Sequence, residues 1–252
     1  DRTYTMEAMM HDGKALQAGT SHNLGQHFSK MFDIKYLDKD GELKYGWSTS
    51  WGTSTRLIGG IIMVHGDNRG LVMPPRVAPT QVVIVPIASH KEGVLDKAYE
   101  VKQELMKEFR VEMDNRDNYS PGWKFNEWEM KGVPVRIELG PKDIEQNQVT
   151  LFRRDTLEKF TAPLDNLTET IAKLLDDVHN TMFAKALKNR EEHTYTTTDY
   201  EEFKTIMTEK QGFVKTMWCG SRACEDKMKE DTNATIRCMP FDQTPVGDKC
   251  MM

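Results

Sequence analysis

With 252 residues and a net charge of −5, the chain has the length for two or three small domains and is no strongly basic nucleic-acid binder, although a local basic patch can act against that sign. No apolar run approaches the ~18 residues that span a bilayer, and the longest, Gln81 to Ala88, is broken by Pro86, so a soluble protein without a membrane partner is expected. All 4 cysteines lie beyond position 218, too localised for a secreted disulfide scaffold, and point to a reducing compartment and a metal site.

The opening Asp1-Arg2-Thr3-Tyr4 has neither a leader-like region nor an initiator methionine and reads as the interior of a longer chain. Met6 to Leu16 can form a helix, broken at Gln17-Ala18-Gly19. Thr20-Ser21-His22-Asn23-Leu24-Gly25 then reads in two ways. It is either the N-cap of a helix over Leu24–Phe32 or a polar loop presenting Thr20 and His22 to a ligand. Ile34–Leu37 and Leu43–Trp47 flank Asp38-Lys39-Asp40-Gly41, a hairpin signal.

Next comes Trp51-Gly52-Thr53-Ser54-Thr55-Arg56, running into the apolar Leu57–Val64 and stopping at His65-Gly66-Asp67. The continuously apolar run predicts a strand buried on both faces. At its mouth Arg56, always charged and fork-shaped, suits a phosphate or carboxylate better than a core. Gly59-Gly60 costs strand stability and suggests something flat lying close to the backbone. His65 and Asp67 pass either for a general base with its orienting carboxylate or for ordinary polar residues at a strand end.

The proline cluster Pro74–Pro79 sets a first domain boundary at 78. Residues 79–190 then run strand, helix, strand: Gln81–Pro86, the amphipathic Val94–Phe109, Val111–Met113, Val133–Leu139, Gln148–Arg153 and the long helix Leu167–Leu187. The pattern predicts an α/β domain with a parallel-leaning sheet. Within it, Trp123, Phe125 and Trp128 read as a stacking platform for bases or as core. Arg153-Arg154-Asp155 reads as a solvated hairpin or a phosphate contact. A third segment, 191–252, opens with a helix Tyr200–Lys210 that Thr198 or Asp199 can cap. In it Cys219 and Cys224, separated by four residues in a Gly/Ser turn, can converge on one ion with Cys250. A cysteine directly after Met252 would complete a tetrahedral set; Cys238 is the fallback, and a buried thiol is its other reading. An all-thiolate set leaves no open coordination position, so any such metal is structural.

Taken together, Gly19–Gly25, Trp51–Arg56 with His65-Gly66-Asp67, and Leu71–Arg76 resemble the second half of the catalytic domain of class II prolyl-tRNA synthetases, in their eukaryotic and archaeal type. Arg116–Phe125, Lys131–Arg136 and Gly140–Asp143 are similar to the anticodon-binding domain of these enzymes, and the cysteine segment to their C-terminal zinc domain. The resemblance implies a multidomain α/β and α+β chain: half of an antiparallel-sheet catalytic domain (1–78), an α/β anticodon-binding domain (79–190) and a truncated zinc domain (191–252). It implies activation of proline by ATP to prolyl-adenylate, followed by transfer to tRNA(Pro), in a cytoplasmic homodimer using Mg2+ and structural Zn2+. Arg56 falls at the motif 3 arginine that clamps phosphate. Gln17 and Thr20 would contact ATP, Gln17 directly or through magnesium; Ser54 and Thr55 would sit beside the adenylate or the tRNA's terminal nucleotide, and His22 would line the proline pocket. Glu129, Arg136, Lys142 and Asp143 would read the anticodon, and Cys219, Cys224 and Cys250 would hold the metal. Motifs 1 and 2 are absent, so this polypeptide alone is not expected to make adenylate. The competing expectation is a non-catalytic tRNA-binding or regulatory paralogue, against which Thr20, His22 and Arg56 argue.

Overall fold

In the computed structural model, which describes residues 2–252, the helix expected over Met6–Leu16 is instead a hairpin of β1 (Arg2–Met9) and β2 (Ala15–Gly25). Thr3, Thr5 and Glu7 alternate with Tyr4, Met6 and Ala8, a period of two that outweighs the helical spacing of the methionines. The turn is fixed locally: the Asp12 side chain accepts from the Lys14 backbone N–H at 3.1 Å, and Gly13 takes φ 73°. Thr20–Gly25 is therefore neither cap nor loop but the second half of β2. The following helix, α1 (His27–Met31), is short, and Gln26 caps it without a side-chain bond. The hairpin β3 (Lys35–Leu37) and β4 (Leu43–Tyr45) forms where expected, Lys44 Nζ tying its turn to Asp38 at 2.6 Å.

β5 (Ser48–Thr53) pairs with β2, giving an antiparallel sheet of order β1-β2-β5. After it the apolar run is helix α2 (Arg56–His65), not a buried strand. A short apolar run does not by itself distinguish the two, and here the Ser54 and Thr55 carbonyls accept from the Leu57 and Ile58 amides, starting a helical turn at once. Gly60 is the buried position of α2. A Cβ there would lie 3.2 Å from Leu16 Cδ2, so the glycine lets the helix close on β2; beside Gly59 there is open space.

The chain divides into two compact units: residues up to Val64 together with Asn189–Met252, and His65–Lys188. The second holds β6 (Val82–Pro86), α3 (Val94–Leu105), β7 (Val111–Met113), α4 (Pro121–Met130), β8 (Val135–Leu139), α5 (Pro141–Glu145), β9 (Gln148–Arg153), β10 (Lys159–Pro163) and α6 (Leu167–Glu192) up to Lys188. Its sheet has the order β10-β9-β8-β6-β7 and is mixed rather than parallel-leaning: β6 runs parallel to β7 and β8, whereas β9 and β10 are antiparallel additions. The connections around β9 are too short for parallel crossovers. Val82 and Ile84 face the α3 and α6 residues Ala98, Val101, Ile171 and Val178, while Val83 and Val85 face Val133 and the α4 side chains Phe125 and Trp128. With both faces covered, β6 and β8 are buried along their whole length. Pro74–Pro79 lies inside this unit, where the Arg110 guanidinium donates to the Pro75, Arg76 and Ala78 carbonyls.

The last segment belongs to the first unit. It contains β11 (Thr194–Thr196) parallel to β12 (Phe213–Lys215), α7 (Tyr200–Thr205) continued by a π-helical turn (Ile206–Lys210), and α8 (Arg222–Thr232). Asp199 caps α7 as expected, accepting from the Glu202 amide at 2.7 Å. Phe203, Met228 and Met251 form a small core. Among the described residues no helix is long and apolar enough to cross a membrane.

Candidate functional site

The register of β1, β2 and β5 sets Thr3 opposite His22 and Thr5 opposite Thr20, and across the other ladder Thr20 opposite Gly52 and His22 opposite Ser50. Alternation along each strand therefore gives the sheet one polar face. An open hollow of about 290 Å³ lies there, lined by Gln17, Thr20, His22, Ser50, Trp51, Gly52, Ser54 and Arg56 among others. His22 is fixed at both ring nitrogens, sharing hydrogen bonds with Thr3 Oγ1 (2.9 Å) and Thr20 Oγ1 (3.1 Å).

Arg56 opens α2, and its Nη1 donates to the Gln17 carbonyl at 3.4 Å while its backbone N–H meets Ser54 Oγ at 3.3 Å. A permanent cation at the positive end of a ten-residue helix gives this edge of the hollow a potential that favours negative charge. Of the residues read as ligand contacts, Gln17, Thr20, His22, Ser54 and Arg56 thus share one hollow, and Thr55 adjoins them without lining it. Sequence reasoning missed Glu7. Its carboxylate, 6% exposed, accepts from Thr5 Oγ1 at 2.9 Å and from Gln17 Nε2 at 3.3 Å. The Thr3, Thr5, Glu7 alternation was the signal for it, hidden by the helical reading of Met6–Leu16. Both Asp67 oxygens accept from Arg154, which holds its carboxyl at about 2.

In the second unit Glu129 and Arg136 meet inside a buried chain of charges. Glu129 Oε2 accepts from Arg69 at 3.0 Å and Oε1 from Arg136 at 3.1 Å; Arg136 also donates to Glu138 at 3.0 Å, and Glu138 binds Lys159 at 2.6 Å. The Arg136 guanidinium lies between the rings of Phe125 (4.0 Å) and Phe152 (4.2 Å). Lys142 and Asp143 sit apart from that pair on α5. Lys142 is exposed, whereas Asp143 accepts from the Gly140 amide at 2.9 Å and from Thr150 Oγ1 at 3.2 Å. Arg153 and Arg154 are neither a solvated hairpin nor a phosphate contact: both are buried, Arg153 on Asp155 and Asp177, Arg154 on Asp67. The three aromatic residues divide. Phe125 and Trp128 pack on the core, and Trp123 stays 45% exposed with its ring stacked on Tyr119 at 3.9 Å.

Cys219, in the turn before α8, Cys224 in its first turn and Cys250 near the chain end bring their sulfur atoms within 4.8 Å of one another. Tetrahedral thiolates on zinc stand about 3.8 Å apart, since each Zn–S bond is about 2.3 Å, so the set fits that ion. The Ser221 amide, then the neighbouring thiols, hold the Cys219 thiol below its ordinary range, while its bond to Cys219 pushes Cys224 up to about 11. Cys238 is exposed and outside the cluster, neither the fourth ligand nor a buried thiol.

Comparison with known proteins gives two family matches: the anticodon binding domain over residues 81–174, and the C-terminal domain of prolyl-tRNA synthetase over residues 200–252. The chain is 66% identical over 248 residues to the proline–tRNA ligase of Alkaliphilus oremlandii, covering 98% of this chain and 52% of that protein. It is 61% identical over 252 residues to proline–tRNA ligase 2 of Clostridioides difficile, covering 100% of this chain and 52% of that one. With proline–tRNA ligase 2 of a Bacillus cereus strain it shares 60% identity over 249 residues, 99% of this chain and 52% of the relative. All three are bacterial proteins, whereas the motifs resemble the eukaryotic and archaeal type. The chain spans about half the length of the curated relatives it matches. By these matches it belongs to the prolyl-tRNA synthetase family and corresponds to that family's C-terminal part.

Proposed function

We propose that this chain supplies one wall of the aminoacylation site, the anticodon-binding domain and a structural zinc site of a proline–tRNA ligase. The observation that carries the reading is the hollow in which Gln17, Thr20, His22, Ser54 and Arg56 converge. In the first step the proline carboxylate attacks the α-phosphate of ATP, forming prolyl-adenylate and releasing pyrophosphate. In the second, a hydroxyl of the terminal adenosine of tRNA(Pro) attacks the prolyl carbonyl and releases AMP. Neither step asks this wall for a strong base; the first asks for alignment and for positive charge where phosphate charge shifts. Arg56, reinforced by the α2 N-terminus, fills that role. Gln17 and Thr20 would contact ATP, Gln17 directly or through a magnesium ion, Ser54 and Thr55 the adenylate, and His22, locked between Thr3 and Thr20, borders proline.

In the second unit, Glu129, Arg136, Lys142 and Asp143 form the anticodon-reading group. Arginine and lysine donate to guanine O6 and N7, and a carboxylate accepts from its N1 and N2 hydrogens. Cys219, Cys224 and Cys250 would hold zinc, whose contribution is to cross-link the segment. Family membership alone carries the homodimer and the cytoplasmic location.

The test is proline-dependent ATP–pyrophosphate exchange by the full-length protein. Exchange is expected, and Arg56→Ala is expected to reduce it at least a hundredfold, about 3 kcal/mol of transition-state stabilisation, with tRNA binding retained. tRNA binding without exchange in the unmutated protein would establish the non-catalytic paralogue instead.

A further inference from the structure

Arg237 lies outside every motif that marks the nucleotide side of the hollow, yet it touches that side. Its Nη2 donates to Glu7 Oε2 at 3.1 Å and to the Ala15 carbonyl at 3.3 Å, joining the C-terminal segment to both β1 and β2. A second contact lies nearby: the Tyr4 and Phe241 rings stand 5.9 Å apart. Glu7 is buried, and its other oxygen accepts from Gln17 Nε2.

We propose that Arg237 is a positioning residue for ATP, acting through Glu7 on Gln17; this rests on the ATP-binding reading of the hollow. A carboxylate only accepts hydrogen bonds, so Glu7 fixes which end of the Gln17 amide faces it: the NH2 group turns to Glu7 and Thr5, at 3.3 and 3.1 Å. The carbonyl oxygen is then what Gln17 offers to a ligand, an acceptor suited to a magnesium ion or an amino group. That arrangement puts a buried negative charge beside a site for a polyanion. Unpaired, that charge would repel the phosphates, and a Glu7 carboxylate without its partner could turn away from the Gln17 amide. Arg237 pairs the charge and keeps Glu7 on the amide. It also pins the end of β1 to the start of β2, so Gln17 is held from both sides.

The experiment uses the full-length synthetase with Arg237→Met, Arg237→Lys and Glu7→Gln. It measures ATP affinity by calorimetry, the KM for ATP and for proline in pyrophosphate exchange, and the melting temperature. Arg237→Met is expected to weaken ATP binding and raise the KM for ATP about tenfold, leaving the KM for proline within twofold. Arg237→Lys, which keeps the charge and the fold, is expected to recover most of the loss. The double variant with Glu7→Gln should bind ATP no more weakly than Arg237→Met alone. Unchanged ATP affinity in Arg237→Met overturns the proposal, as does an equal loss for ATP and proline accompanied by a lower melting temperature. So does an Arg237→Lys as weak as Arg237→Met. Unmutated protein that binds no ATP overturns the reading of the hollow as well, which separates the two failures.

Discussion

Arg154 grips Asp67 with both terminal nitrogens, at 2.7 and 2.6 Å, across 87 positions of sequence. The arginine is 1% exposed, and its Nε donates to the Glu129 carbonyl at 2.9 Å. The strand end of β9, the C-terminal turn of α4 and the loop after α2 are thereby joined at one guanidinium. Arg154→Met would remove all three guanidinium bonds, leaving the Glu129 carbonyl with the Gly132 amide and the Asp67 carboxylate with the Arg69 amide. A loss of about 3 kcal/mol is expected in urea unfolding of the chain. Asp67→Asn retains one acceptor oxygen at a partly exposed position and should cost clearly less. Equal stability of Arg154→Met and the unmutated chain would show that the pairing contributes nothing.

Asp114 should contribute, beside Asp67, to the acid sensitivity of the second unit. Burial pushes its carboxyl up, but bonds from Arg116 Nε (2.8 Å) and Nη2 (2.6 Å) and from Trp128 Nε1 (2.9 Å) outweigh that and hold it at about 2. Because the folded value lies below the ordinary 3.8, its stabilisation is complete above that value and disappears as pH falls toward 2. The shift corresponds to about 2 kcal/mol. Unfolding titrations followed by tryptophan fluorescence should show stability falling through that window, and Asp114→Asn should flatten its share of the fall. A variant with the same acid slope as the parent would assign the sensitivity to other carboxylates.

Among the anticodon-reading candidates, the buried and the exposed positions should behave differently. Arg136 and Glu129 already hold each other, so their substitution should cost stability as well as binding. Lys142 is exposed, so Lys142→Ala should leave the melting temperature unchanged and weaken tRNA binding by about 1–3 kcal/mol if it contacts a base. The sharper readout is selectivity: Lys142→Ala should bind tRNA(Pro) and an anticodon-guanine-substituted tRNA with more nearly equal affinity. Uniform weakening against both would reassign Lys142 to phosphate.

Where one local pattern dominated, the fold was legible in the sequence. The apolar Gln81–Pro86 segment became β6, Asp38–Gly41 made the β3–β4 turn, and Asp199 capped α7. The reading failed where two periods competed. Met6, Met9 and Met10 suit one helix face, but Thr3, Thr5 and Glu7 alternate, and pairing with β2 decided for the strand. Leu57–Val64 failed for the opposite reason, since an apolar run without breaks carries no period at all. The hollow was half legible. Arg56, His22 and Thr20 sit in recognisable motifs, whereas the Arg237–Glu7 contact joins residues 230 positions apart, and no spacing rule reaches that far.

The cysteine cluster makes the last prediction, and its place in the fold sets the form of the result. Cys224 lies one turn before Met228 on α8, and Cys250 directly precedes Met251; both methionines, with Phe203, form the small core of the C-terminal segment. A zinc ion on Cys219, Cys224 and Cys250 would therefore fasten the two chain stretches that cover Phe203, and structural zinc of this kind contributes directly to folding. The expected outcome is one zinc per chain by elemental analysis, lost in Cys219→Ser and kept in Cys238→Ser, whose residue stands outside the cluster. Chelation should raise amide exchange in α8 while β6 and β8, in the other unit's core, stay protected. Metal-free protein with reduced cysteines and unaltered exchange in α8 would refute the site.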